Sequence, residues 1–159
     1  MASRAIDFLI TYRIVKLLVT PFNKQEAYAT GIIDDQGKVL KKYKDLRTEK
    51  ERKSYTLLHR FVFNLKRILK RVGLGSKLGS LGVALALMIK EDKSYAQHKT
   101  LIEQTVIKYL KDEGLYEDIL NESREIPDIE EDPYMVCFGV SVYEKDGELV
   151  SEYDYAKTL

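Results

Sequence analysis

The chain is predicted to adopt an α+β fold that is mainly helical, with five or six helices and two small β-hairpins. Three observations carry this expectation. Apolar residues recur at helical spacing between residues 48 and 72. Helix-start signals stand before apolar runs, and turn signals separate two pairs of strand-like segments. The length of 159 residues, with 45% apolar and 32% charged residues, suffices for a sizeable core and excludes a globally disordered chain.

The first helix is expected over residues 3–19, with Ser3 as its cap. Its apolar residues Ile6, Phe8, Leu9, Ile10, Ile14, Val15, Leu17 and Leu18 wrap almost all the way round. Such a helix calls for cover on more than one side. Thr20-Pro21 then reads as a cap followed by proline in the first turn of a short helix that ends at Gly31. Residues 32–40 read as strand, turn, strand, with Gly37 supplying a positive φ.

Thr48-Glu49-Lys50-Glu51 is a capping-box pattern that starts a helix over 48–72. Its apolar side holds Leu58, Phe61, Val62, Leu65, Ile68, Leu69 and Val72, and Gly73 stops it. A glycine-rich stretch (Gly73, Gly75, Gly79, Gly82) leads into a buried helix at 83–91. Helices over 99–113 and 115–122 follow, the former stopped at Gly114. Residues 123–133 are an acidic, proline-bounded linker. Two strands, 134–143 and 148–155, flank the turn Lys145-Asp146-Gly147. The expected organisation is a basic helical domain over 1–122, built on helices 3–19, 48–72 and 83–91. The linker follows it, and residues 134–159 form a hairpin segment packed at the edge of the same domain.

Charge is divided unevenly. Residues 1–93 hold 20 Lys+Arg against 9 Asp+Glu, and residues 94–159 hold 6 against 16, so the overall +1 conceals halves of +11 and −10. Such asymmetry points to a polyanion partner, or to an acidic segment that competes for the basic one. Cys137 is the single cysteine, so no intramolecular disulfide can form. Asp7, Arg13 and Lys16 interrupt the N-terminal apolar run, which does not read as a signal peptide. The longest uncharged stretch, Leu78–Ile89, is roughly half the ~20 residues of a membrane span, and no membrane partner is expected.

On the 48–72 helix, steps of about 100° place Arg52, Lys53, Arg60, Lys66, Arg67, Lys70 and Arg71 opposite the apolar side, with Phe63 among them. Cations at this spacing neutralise phosphates, and an exposed aromatic stacks on a base. A solvated helix face, with Phe63 packed on a neighbour, accounts for the same pattern. The basic cluster Lys38, Lys41, Lys42, Lys44 and Arg47 just before it favours the binding reading. Gly73–Ser80 lacks the Gly-Lys-Ser/Thr ending of a phosphate loop and follows a helix rather than a strand. Its small residues fit close backbone approach better, within a helix pair or between subunits. With two histidines and one cysteine at no ligand-like spacing, metal and triad chemistry lack parts. No catalytic residue, cofactor or metal is expected, and the chain does not read as an enzyme.

Three blocks, KLLVTPFNKQEAYATGIIDDQGKVLKK (16–42), YTLLHRFVFNLKRILKRV (55–72) and SLGVALALMIKED (80–92), resemble a family of small proteins of large myovirus-type tailed bacteriophages. The resemblance covers roughly residues 3–92. It implies a non-enzymatic structural role as a prohead core or head-assembly component, in the virion or in the immature head inside the host cytoplasm. The implied partners are other phage structural proteins, copies of the chain itself, and DNA. It also implies processing by a phage protease that favours Leu or Ile, any residue, then Glu. Such triplets end at Glu91, Glu103, Glu117, Glu122 and Glu131, with Glu122 preferred because the acidic linker begins there. The alternative is a nucleic-acid-binding accessory protein whose acidic C-terminal part limits non-specific binding.

Overall fold

The computed structural model describes residues 2–72, 76–122 and 126–159, with the backbone alone at residues 2 and 3. The fold is mainly helical α+β: eight α-helices and one three-stranded antiparallel sheet among the described residues. The chain divides into two compact units, Met1–Arg67 and Ile68–Leu159.

In the first unit, α1 spans Ala2–Val19. It buries Ile14 and Leu18 but leaves Ile6, Phe8, Leu9, Tyr12, Val15 and Val19 exposed. The all-round cover expected of this helix is thus absent in the single chain. Pro21 does not open a helix in one piece. It caps a 3-10 turn at Phe22–Lys24, and α2 occupies only Glu26–Ala29, ended by Gly31 at φ 78°. Phe22, Ala27, Ile32, Ile33, Leu46, Tyr55 and Phe63 form the core of this region, with Leu17 packed against it.

The expected first hairpin contracts to a single bridge, Ile33 to Val39. Its turn is held by the Asp34 carboxylate, which accepts from the backbone N–H of Gln36 at 2.9 Å and Lys38 at 2.8 Å. Gly37 is required twice over. Its φ is 82°, and a side chain there would run into the Phe22 ring.

The single helix predicted over 48–72 is two helices. The Thr48/Glu51 capping box forms as read and starts α3 (Glu49–Ser54). The chain then breaks at Tyr55, whose φ of −142° and ψ of 57° lie outside the helical region. Tyr55 turns into the core and stacks on Phe63, ring centroids 6.1 Å apart. Thr56 restarts the chain as α4 (Leu57–Lys70). Its hydroxyl accepts from the N–H of His59 at 3.4 Å, while the His59 Nδ1 accepts from the N–H of Thr56 at 3.3 Å. This reciprocal pair acts as a capping box with histidine in the usual Glu/Gln place. Leu58, Phe61, Val62, Leu65 and Ile68 are buried, Leu69 is half-buried and Val72 is exposed. Gly73 and Gly75 lie outside the described residues.

In the second unit, α5 (Lys77–Glu91) starts six residues earlier than predicted, at a Ser76 cap whose hydroxyl accepts from the N–H of Gly79 at 3.0 Å. It lies against the sheet β1 (Met135–Cys137), β2 (Val140–Lys145) and β3 (Glu148–Ser151). A Cβ on Gly82 would stand 3.0 Å from the Cys137 carbonyl oxygen, and one on Gly79 2.9 Å from the Ser151 hydroxyl. Close backbone approach is thus the role of Gly82, the approaching backbone being a strand rather than a helix, whereas Gly79 makes room for the side chains of Ser151 and Tyr153. The C-terminal segment is accordingly not an edge hairpin; it forms the layer that α5 is packed on.

The Asp146-Gly147 turn is present as predicted, with φ of 55° and 82°. A second tight turn at Phe138-Gly139, φ 55° and 74°, splits the expected strand 134–143 in two. The last expected strand ends at Ser151, whose hydroxyl caps α8 (Glu152–Ala156) by accepting from the N–H of Asp154. Helices α6 (Lys99–Asp112) and α7 (Tyr116–Asn121) match the sequence reading closely, with Gly114 between them at φ 71°. No described helix is long and apolar enough to cross a membrane.

Candidate nucleic-acid interface

The break at Tyr55 divides the predicted cationic ridge, with Arg52 and Lys53 on α3 and Arg60, Lys66, Arg67 and Lys70 on α4. Arg52 and Lys53 are exposed on α3, where Lys53 pairs with Glu49 at 3.1 Å. Lys70 and Arg71 are exposed in the second unit, and Arg71 donates to the Ser80 hydroxyl at 3.1 Å. Phe63 is fully buried between Phe22, Tyr55 and His59, so it stacks on no ligand.

Two of the supposed binding cations hold backbone instead. Lys66 is buried, its ammonium donating to the carbonyls of Leu17 and Thr20 and lying 4.4 Å from the centre of the Phe22 ring. A cation there meets the negative end of the α1 dipole. Gln25 Nε2 donates to the same two carbonyls at 3.3 and 3.1 Å. Arg67 is half-buried and donates to the Gly37 carbonyl at 2.7 Å, bracing the turn. Burial lowers its pKa from the ordinary value.

What the first unit does gather is a strip over residues 38–53. Lys38, Lys41, Lys42, Lys44, Arg47, Lys50, Arg52 and Lys53 are all exposed on it. A 3-10 turn at Tyr43–Asp45 presents Tyr43 outward between Lys42 and Lys44. Arg60 reaches it from α4, its guanidinium carbon 5.1 Å from the centre of the Tyr43 ring. The aromatic of the site is therefore Tyr43, not Phe63. Its signal in the sequence is the run Lys41-Lys42-Tyr43-Lys44, a ring set among cations.

Glu51 organises the strip. Its carboxylate accepts from Lys41 Nζ at 3.0 Å, from the N–H groups of Thr48 and Arg47 at 3.1 and 3.2 Å, and from the Thr48 hydroxyl at 3.1 Å. The Lys41 ammonium first, then the two amides, holds its pKa down at about 2. The folded-state value is lower than the ordinary one of 4.5. The stability it gives is therefore complete above that value and lost as pH falls toward about 2. Close by, burial first and Arg13 second push the His59 pKa below its ordinary 6.5. Its Nδ1 accepts a backbone N–H, so the neutral ring carries its proton on Nε2.

The expected cleavage positions fall in different settings. Glu103 lies within α6, its carboxylate accepting from the N–H of Phe138 and from Lys99 Nζ at 3.4 Å. Glu91 and Glu117 are helical, and a protease needs extended chain. Glu122 ends α7, is paired with Lys77 at 3.9 Å, and is followed by residues outside the described set. Glu131 sits in an exposed segment of no regular structure. Among the described residues no three His, Cys, Asp or Glu side chains gather as a metal site. Burial pushes the Cys137 thiol up to about 12.

Comparison with protein-family models, curated proteins and solved structures gives no match for this chain.

Proposed function

We propose that this chain is a non-enzymatic assembly protein of bacteriophage type, acting through contacts between copies and through a basic surface that meets a polyanion. One observation carries the reading: the division of charge follows the division of the fold. Residues 1–67 hold 15 Lys+Arg against 7 Asp+Glu, a net of +8, and residues 68–159 hold 11 against 18, a net of −7. In the basic unit the exposed cations concentrate on 38–53, around Tyr43 and Arg60. Lysines with one exposed ring suit a flexible phosphate backbone and a stacked base, with no demand for sequence. The resemblance of residues 3–92 to phage proteins supports a place in head assembly, in the prohead core.

The test measures binding and particle size together. At low salt the wild-type chain is expected to bind DNA or RNA and gather into particles seen by light scattering. Reversing Lys42, Lys44 and Arg47 to Glu should remove about three phosphate contacts and flatten the salt dependence by about 0.9 per contact on duplex DNA. A wild-type chain that binds neither polymer and stays small at low salt overturns the proposal.

A further inference from the structure

Among the described residues, α1 leaves a run of large apolar side chains exposed. Phe8, Tyr12, Val15 and Val19 are 75%, 55%, 39% and 58% exposed, whereas Ile14 on the opposite side is fully buried. Their spacing is i, i+4, i+7, i+11, the alternation of four and three that places residues in one seam of a helix. Ala5 continues the seam toward the N-terminus, and Leu9 flanks it, also half exposed. Lys16 flanks it, its ammonium 5.9 Å from the centre of the Tyr12 ring, and Arg13 lies on the far side of the helix. The seam is thus the polar-rimmed apolar strip of a helix that packs on another helix.

We infer that two copies of this chain pair through α1, with the two helices antiparallel. The inference rests on the assembly reading and names its contact between copies. Three arguments favour a second copy as the occupant. The first is shape. In the antiparallel register that sets Tyr12 against Val15 of the other copy, Phe8 falls against the other Val19, so each aromatic meets a valine. The seam is self-complementary, as a two-fold interface requires. The second is charge. The same register sets Lys16 beside Thr11 and Arg13 beside Ile14 at the two-fold centre, and the helix dipoles run in opposite directions. The third is area. With Phe and Tyr side chains offering about 150–250 Å² each, the exposed seam supplies on the order of 500 Å² per copy. A pair therefore buries about 1,000 Å², the lower edge of specific interfaces. That area suits a weak, reversible dimer.

The test is made on the full chain in about 0.5 M salt, where phosphate contacts are screened and nucleic acid is removed. Sedimentation equilibrium of the wild type should show a monomer–dimer balance that moves with concentration. Phe8→Asp with Tyr12→Asp should stay monomeric at least tenfold above the wild-type dissociation constant, with unchanged circular dichroism because both side chains are exposed. A second measurement fixes the direction. Tyr12→Cys and Val15→Cys proteins, mixed and oxidised, should give the mixed disulfide dimer well above either self-linked one. The native Cys137 is buried and stays silent. A wild type that is monomeric at all concentrations overturns the inference, as does a dimer unmoved by the two aspartates. So does a monomer that binds vesicles of phosphatidylserine and phosphatidylcholine through Phe8 and Tyr12. If these results come with retained binding of nucleic acid at low salt, only the α1 pairing falls. Loss of that binding strikes the assembly proposal itself.

Discussion

Helices α1 and α5 are both rich in apolar residues, and the fold treats them in opposite ways. In α5, Leu81, Leu85, Ala86, Met88 and Ile89 are buried, and the sheet lies directly on Gly79 and Gly82. In α1, two apolar residues are buried and six large ones face outward. The difference is one of side-chain size as much as of hydrophobicity. Gly79 and Gly82 lie one helical turn apart and make a flat strip on which the Ser151 side chain and the Cys137 backbone rest. The equivalent strip on α1 carries Phe8, Tyr12 and Val15, which fit between the side chains of another helix and would hold a sheet away.

Three substitutions bear on this contrast, in falling order of effect. Leu85→Ala removes a fully buried side chain of α5 and should destabilise the chain by about 2–5 kcal/mol in urea unfolding. A loss under about 0.5 kcal/mol would mean that α5 is not the covered helix. Gly82→Val would force branched carbons toward the Cys137 carbonyl, and backbone cannot yield as a side-chain end can. It should cost about 1–3 kcal/mol, net of the modest helix-propensity gain over glycine. A stabilised Gly82→Val protein would show that the sheet does not lie on that strip. Phe8→Ser, read in dilute protein where copies are separate, should stay within about ±0.5 kcal/mol of the wild type. A loss near that of Leu85→Ala would place Phe8 in a core within the single chain, and the contrast would fail.

Much of this architecture can be read from residues that act locally. The Thr48/Glu51 box, the Asp146-Gly147 turn and the stops at Gly31 and Gly114 depend on neighbours a few positions away, and each forms as predicted. The failures share the opposite property. Tyr55 interrupts a well-patterned helix because its ring stacks on Phe63, eight positions further along. Phe138 adopts a positive φ, unusual for an aromatic residue, at a turn whose only local signal is Gly139. Phe63 and Lys66 sat on the polar side of a helical wheel, yet both are buried, because the 3-10 turn after α1 brings Phe22 against them. The basic strip was legible as composition. Which of its cations stay outside was not, since that depends on carbonyls supplied by Leu17, Thr20 and Gly37.

The tie between Lys66 and the end of α1 also bears on the order in which the chain is made. The carbonyls of Leu17 and Thr20 receive the Lys66 ammonium across 49 and 46 residues of sequence. As the chain leaves the ribosome, these two carbonyls can take a bond from Gln25, but none from Lys66 until residue 66 has emerged. The first unit is thus completed from its far end, by one of the last residues it contains. Contacts so distant in sequence carry a loop-closure cost before they give any return, and they slow folding. The apolar seam of α1 is therefore made, and exposed, well before the helix that bears it is finished.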